Sequence, residues 1–255
     1  MGNILYCSAC PTLTHIPIIP GLKELHCDRC PLLTHIPIIP GLEELYCYKC
    51  PMLKEIPKIP TLEILFCGDT KIESLPDFPA LKRLNCASCK NLKAIPEYPN
   101  LKDLHCGSCN VVELPSFPKL HHLVTSDCAD LERISSQPNL DTLHCGCCTS
   151  LTEIVDTPKL LELYCSYCTR LTKVPDSILR CQAYDCKWIK YNMAFEGNME
   201  SLRFCQAIVR RKLTGKKLES IIPEISAIYY SPGCKGEFDA KYSFVRFSKQ
   251  SIHLK

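Results

Sequence analysis

Glycine is scarce in this 255-residue chain, and its ten glycines are scattered with no phosphate-binding loop among them, so nothing opens a nucleotide-binding reading. No apolar run approaches the length of a membrane span. No signal peptide is expected, since Met1-Gly2-Asn3-Ile4-Leu5 runs straight into a repeated pattern. Gly2 raises N-myristoylation, but that motif wants Ser or Thr at the sixth residue and Tyr6 stands there. Excess charge is lacking too. A net charge of +3 singles out no partner class, and nucleic acid is not expected as one.

What is present is a repeat. Gly21 to Pro40, GLKELHCDRCPLLTHIPIIP, recurs almost letter for letter in residues 1–20 and 41–60 and in weaker form to about residue 190. With Leu22 as column 1 the unit reads L-x-x-L-x-C-x-x-C-x-x-L-x-x-I-P-x-x-P-x, and units begin at 2, 22, 42, 62, 81, 101, 120, 140, 160 and 178. A period of this length is the signature of a leucine-rich-repeat solenoid. Columns 4 and 6 alternate with polar neighbours, as in Leu25-His26-Cys27, which predicts a short strand with one face inside. Column 9 turns inward where other leucine-rich repeats carry Asn, and columns 12 and 15 close the coil over the same core. Columns 16 and 19 hold fifteen of the twenty prolines. Proline fixes φ and removes backbone donors, so the back of each coil is predicted to be extended or polyproline II and irregular, with no helix. At ~4.8 Å per strand the stack should be roughly 45 Å long.

Twenty-one cysteines demand a choice between thiols, disulfides and metal. Seventeen lie in columns 6 and 9, and only Cys147, Cys181, Cys205 and Cys234 fall outside them. Cys7, Cys10, Cys27 and Cys30 have the spacing of a zinc site. Internal variation favours packing thiols instead. Thr125 replaces Cys in column 6, Thr70 does so in column 9 and Ala183 in the last unit, and these share small volume but no thiolate chemistry. Neighbours in one column are close enough for bridges, so the decision rests on compartment, and without a leader a reducing cytoplasm is expected. No metal and no cofactor are predicted.

Residues 1–191 form the predicted solenoid of about ten coils, and 192–255 form a tail. The tail has 11 Lys and Arg against 6 Asp and Glu. Met199 to Arg211 has apolar residues at helical spacing (Leu202, Cys205, Ile208, Val209), which predicts an amphipathic helix, and a second helix is predicted over Lys217 to Tyr229. A solenoid needs its last apolar face covered, so the tail reads as a cap. Its alternative role is a basic patch of Arg210, Arg211, Lys212, Lys216 and Lys217. At the other end Leu5, Cys7 and Leu13 lack a covering element in this reading, which predicts self-association or a partner there.

The chain shows no catalytic constellation. His26, His105 and His144 share column 5 but no two occupy adjacent coils, and His121 and His122 point to opposite faces. Among the cysteines, Cys147 is the candidate for an activated thiol, because it lies outside the inward columns. Columns 3, 5 and 7 are expected to project from a concave sheet face. Column 5 reads Tyr6, His26, Tyr46, Phe66, Asn85, His105, Val124, His144, Tyr164, and column 3 supplies Glu24, Glu44 and Arg83 beside it. Tyr6, Glu24, His26, Glu44, Tyr46, Phe66, Arg83, His105, His144 and Tyr164 are therefore the candidate partner-binding residues, because aromatic side chains on a rigid scaffold anchor interfaces. The alternative is cross-strand packing alone.

The Leu-Pro pairs at 75–76 and 114–115 and the Ile-Pro pairs at 16–17, 36–37, 56–57 and 95–96, each followed by a second proline, resemble the LPX class of leucine-rich repeats in bacterial type III secretion effectors. These 255 residues show no counterpart of the helical hairpin that precedes such repeats, and a tail of this length is not expected to hold the ubiquitin-ligase domain that some carry. The tail, from Cys205-Gln206 through Tyr229-Tyr230-Ser231-Pro232-Gly233-Cys234, is similar to C-terminal segments of repeat proteins from large DNA viruses of amoebae. The combined expectation is a right-handed leucine-rich-repeat solenoid with a small helical C-terminal cap, a non-enzymatic module that binds protein on its concave face and takes no small-molecule substrate. Two alternatives stand beside it: a structural, virion-associated protein making contacts through its ends and basic tail, and a ubiquitin-pathway adaptor or zinc-dependent scaffold.

Overall fold

Leucine at column 4 stands between side chains that are mostly polar or aromatic, and a strand of three residues suffices to bury one and turn two outward. The computed structural model describes residues 3–154 and 156–186 and the backbone of 195–198. Its strands are β1 (Ile4–Tyr6), β2 (Glu24–His26), β3 (Glu44–Tyr46), β4 (Ile64–Phe66), β5 (Arg83–Asn85), β6 (Asp103–His105), β7 (Glu113–Leu114), β8 (His122–Val124), β9 (Arg133–Ile134), β10 (Thr142–His144), β11 (Glu162–Tyr164), β12 (Arg180–Ala183) and β13 (Phe195–Asn198). Eleven of them form one sheet, and β7 and β9 pair separately. From β1 to β12 the main sheet is parallel and in register with the repeat, so Leu5, Leu25, Leu45, Leu65 and Leu84 stand in a row. The fold is a leucine-rich-repeat solenoid, and the columns predicted to face inward do so: Leu42, Leu45, Cys47, Cys50, Leu53 and Ile56 of one coil are all buried.

The turn after each strand depends on a residue in left-handed conformation. Column 8, from Ala9 through Arg29, Lys49 and Tyr167 to Asp185, has φ between 52° and 63° in those residues. Its N–H then meets the column 7 carbonyl of the next coil, as in Ala9 to Asp28 (2.7 Å) and Lys49 to Gly68 (2.9 Å). The chain bends inward, and column 9 enters the core. From the second coil on, each thiol there donates to the column 6 carbonyl of the preceding coil: Cys50 to Cys27 (3.2 Å), Cys109 to Cys86 (3.1 Å), Cys148 to Thr125 (3.1 Å) and Cys186 to Cys165 (2.9 Å). A thiol is a weak donor, but it leaves none of these inward carbonyls stranded. At Thr70 the hydroxyl donates instead to Cys67 of its own coil (2.7 Å). Hydrogen-bonding capacity, beyond small volume, thus explains the exchange of Cys for Thr. The described cysteines are all free thiols.

Column 18 is also buried, which the repeat pattern did not reveal. It runs Ile39, Ile59, Phe78, Tyr98, Phe117, Gln137, Thr157 down the stack. Its polar members reach for the carbonyl of column 16 one coil back: Tyr98 Oη donates to Pro76 O (2.9 Å) and Gln137 Nε2 to Pro115 O (2.7 Å). Thr157 is too short to do the same, and its buried Oγ1 has no hydrogen-bond partner. An orphaned buried hydroxyl costs ~1–3 kcal/mol. Thr157→Val, which keeps the shape and removes the hydroxyl, is expected to raise stability by about 1 kcal/mol in urea unfolding.

Among the described residues the back contains no helix, as the prolines dictate, but it is not wholly unpaired. Single bridges join His15 to His35 and Glu153 to Lys173, and β7 pairs with β9. Ser135, standing where most coils have proline, supplies an N–H that donates to Leu114 O (3.0 Å) beside that pair. At the C-terminal end β13 pairs antiparallel with β12, Ala183 opposite Phe195 and Arg180 opposite Asn198. This strand falls in the segment read as tail. The two helices predicted for 199–211 and 217–229 and the basic patch at Arg210, Arg211, Lys212, Lys216 and Lys217 lie outside the described residues.

Candidate interaction surface on the open face of the sheet

Columns 3 and 5 leave the sheet on the face opposite the core, one above the other in successive coils, because every strand is paired in register. Strand spacing near 4.8 Å is close to the centroid separation of stacked rings, so aromatic residues repeated in one column can stack. Tyr6 and His26 have ring centroids 4.5 Å apart, and His26 and Tyr46 are 4.3 Å apart and 4° from parallel. Phe66 meets Tyr46 edge-on at 5.2 Å, and the Arg83 guanidinium covers Phe66 at 5.7 Å from its centroid. Arg83 in turn approaches the Asp103 carboxylate (3.8 Å). The run from Tyr6 to Arg83 is therefore continuous over five coils. A second, shorter stack joins His144 to Tyr164 (4.1 Å, 6°).

Carboxylates in column 3 hold the ring tips of column 5. Tyr46 Oη donates to Glu44 Oε2 (2.7 Å) and Tyr164 Oη to Glu162 Oε2 (3.3 Å), while His26 Nε2 contacts Glu24 Oε1. Burial, with the neighbouring Glu44 carboxylate that accepts its proton, pushes the Tyr46 phenol up to about 12. Burial lowers the pKa of His105, and Arg83 and His122 act in the same direction against Asp103. His144 is likewise lowered, first by burial. Both imidazoles thus resist protonation.

Column 5 also packs across the strands. Tyr46 and Phe66 are half-buried, because each ring shields its neighbours, while Tyr6 at the open end of the stack is 69% exposed. Along the stack, ring edges and held carboxylates, not ring faces, are turned to solvent. Column 7 differs from the expectation that it projects. Asp28 is buried, accepting from Ser8 Oγ (3.2 Å) and the Tyr48 N–H (3.2 Å), and burial raises its pKa. Tyr48 and Tyr184 apart, the remaining column 7 residues are small, and the next coil's backbone passes close to Gly68 and Gly107.

The thiol proposed for activation does not show it. Cys147 occupies the left-handed turn position (φ 60°), and burial together with the Asp127 carboxylate raises its pKa. Among the described residues no three His, Cys, Asp or Glu side chains are placed to hold one metal ion. None of the described helices is long and apolar enough to cross a membrane, since no described segment is helical.

No family model matches the chain, and no curated protein matches it. Solved structures do. YopM from Yersinia enterocolitica is 22% identical with a TM-score of 0.50, over 69% of this chain and 45% of that one. The chain thus spans less than half of that structure's length. YopM from Yersinia pestis, described as a leucine-rich effector protein, is 17% identical with a TM-score of 0.40, over 72% of this chain and 78% of that one. The functional domain of InlJ from Listeria monocytogenes, described as including a cysteine ladder, is 16% identical with a TM-score of 0.27, over 75% of this chain and 62% of that one. The first of these carries the same fold, and the resemblance to effector repeats read from the Leu-Pro and Ile-Pro pairs agrees with it.

Proposed function

We propose that the chain is a non-enzymatic protein-binding module whose partner lies along the open face of the sheet, against the stack from Tyr6 to Arg83. The observation that carries this reading is the stack itself: four rings and a guanidinium fixed in one line, with Glu24 and Glu44 tied to it, on a surface where no core requires them. Rigid aromatic groups lose little entropy on binding, which is why they concentrate interface energy. Free thiols that donate to backbone carbonyls fit a reducing compartment, and we place the protein's action there.

The test compares capture of host proteins by the full chain, by Tyr46→Ala/Phe66→Ala, and by a chain lacking residues 192–255. Circular dichroism confirms that each is folded. The double variant is expected to lose about 2 kcal/mol or more of binding free energy for partners held by the wild type. If it holds the same partners as strongly while the truncation loses them, binding belongs to the tail and the solenoid is its spacer.

A further inference from the structure

The two ends of the sheet are finished differently. At one, β13 lies antiparallel on β12. At the other, β1 has β2 as its only hydrogen-bonded neighbour among the described strands. The bonds to β2 use the N–H of Cys7, which meets His26 O at 2.8 Å, and the carbonyl of Asn3, which accepts from Lys23 and Glu24 at 2.8 and 2.9 Å. Leu5, paired with Leu25, points both its backbone groups the same way. The alternation of a parallel strand then turns the N–H and C=O of both Ile4 and Tyr6 away from β2. Apolar surface accompanies these groups, which have no strand partner among the described residues. Ile4, Tyr6 and Ile18 are 46%, 69% and 63% exposed, and Leu5, Cys7, Cys10, Leu13 and Ile19 are only partly buried.

Proteins protect such an edge with charge, lysine above all. The first coil has none. From Asn3 to Pro20 there is no Lys, Arg, Asp or Glu, whereas residues 21–40, nearly the same sequence, carry Lys23, Glu24, Asp28 and Arg29. Each later coil carries charge as well. The near identity of the first two units makes the contrast informative, because the differences fall mainly on the strand and its turn. A two-fold contact sets the residue on the axis against its own copy, and an unpaired charge on the strand beside it would be desolvated or repelled when the edge is covered. The neutrality of this coil leaves no such charge at the contact, and an edge meant to stay single has no use for it.

We propose that β1 pairs antiparallel with β1 of a second copy about a two-fold axis through Leu5. In that register Ile4 lies opposite Tyr6 of the second copy, each such pair exchanging both its hydrogen bonds, and the two Leu5 side chains meet at the intervening close position, where they cover each other. The antiparallel seat of β13 on β12 is the same solution within one chain. The open faces of both copies then lie on one side of a continuous sheet, with the exposed Tyr6 ring of each stack at its centre. The proposal does not depend on what binds along that face.

Sedimentation equilibrium of the full chain in reducing buffer is expected to give a species of twice 28.8 kDa. Ile4→Lys/Tyr6→Lys sets lysine opposite lysine and is expected to weaken the dimer by about tenfold or more. Ile4→Glu/Tyr6→Lys sets glutamate opposite lysine in this register and is expected to restore it. Both positions are solvent-exposed, and circular dichroism checks that the variants fold. A wild-type chain that stays monomeric at every concentration overturns the proposal, as does mass that grows without limit, the mark of a head-to-tail contact. A dimer equally strong in both variants, or one that the Glu/Lys variant does not recover, overturns the register.

Discussion

Phe78→Ala is expected to lower stability by ~3–5 kcal/mol, the cost of deleting a fully buried aromatic ring. The ring packs against Tyr98 with centroids 6.1 Å apart, between the proline-bearing back and the leucine columns, where neighbouring coils are the only groups able to fill the void. Proline on both sides, at Pro76 and Pro79, keeps the backbone from collapsing inward. In a stack where each coil touches only its neighbours, the loss acts at one interface, so the unfolding transition should broaden or split. Urea unfolding followed by circular dichroism measures the loss, and native-state hydrogen exchange locates it in the coils around residues 59–98. Phe78→Leu, which keeps most of the volume, should cost less than ~1.5 kcal/mol. Equal losses for Ala and Leu, or no local opening with Ala, would show that column 18 does not bear on cohesion.

The second large effect comes from adding a single methyl. A Cβ on Gly107 would sit 2.8 Å from Ser126 O, and that oxygen is fixed by the Ser108 N–H at 2.9 Å, so it cannot retreat cheaply. Gly107→Ala is expected to cost ~1–3 kcal/mol through overpacking. Gly146 holds the same column two coils on, and there the nearest backbone oxygen would be 3.5 Å away, an ordinary contact. Gly146→Ala should therefore change stability by no more than ~0.5 kcal/mol. Thermal or urea unfolding of the pair isolates backbone spacing from glycine's own flexibility, which both substitutions reduce alike. Equal effects would refute the spacing argument.

Much of the molecule is legible in the letters because stacking makes every coil repeat the same physical demand. Leu25, Leu45 and Leu65 share one environment, so their period reports the core directly. Column 18 escapes that reading because its demand changes along the stack. Ile59, Phe78, Tyr98, Gln137 and Thr157 have no shared chemistry, and the flanking prolines interrupt any alternation that would mark them as inward. The signal was available only as a column without Lys, Arg, Asp or Glu. Asp28 was missed for the opposite reason: a carboxylate reads as exposed, and nothing in the letters announces that Ser8 and the Tyr48 N–H enclose it. In the candidate site, the identities of Tyr6, His26, Tyr46 and Phe66 were visible in one column. Their stacking was not, because it depends on register and on carboxylates such as Glu44 that turn the rings.

The left-handed residue after each strand carries a consequence for how such a chain can change over generations. Solvent-facing positions ordinarily drift almost freely, since substitutions there move stability little. Column 8 is filtered by backbone handedness instead. Ala9, Arg29, Lys49, Asp69, Ser88, Ser108, Asp127, Cys147, Tyr167 and Asp185 differ in size, charge and polarity, yet none is branched at Cβ, where a positive φ is a true outlier. Whatever a newly copied unit acquires at its surface, Val, Ile and Thr are closed to it at that one position, and a duplication that brought them there would arrive already weakened.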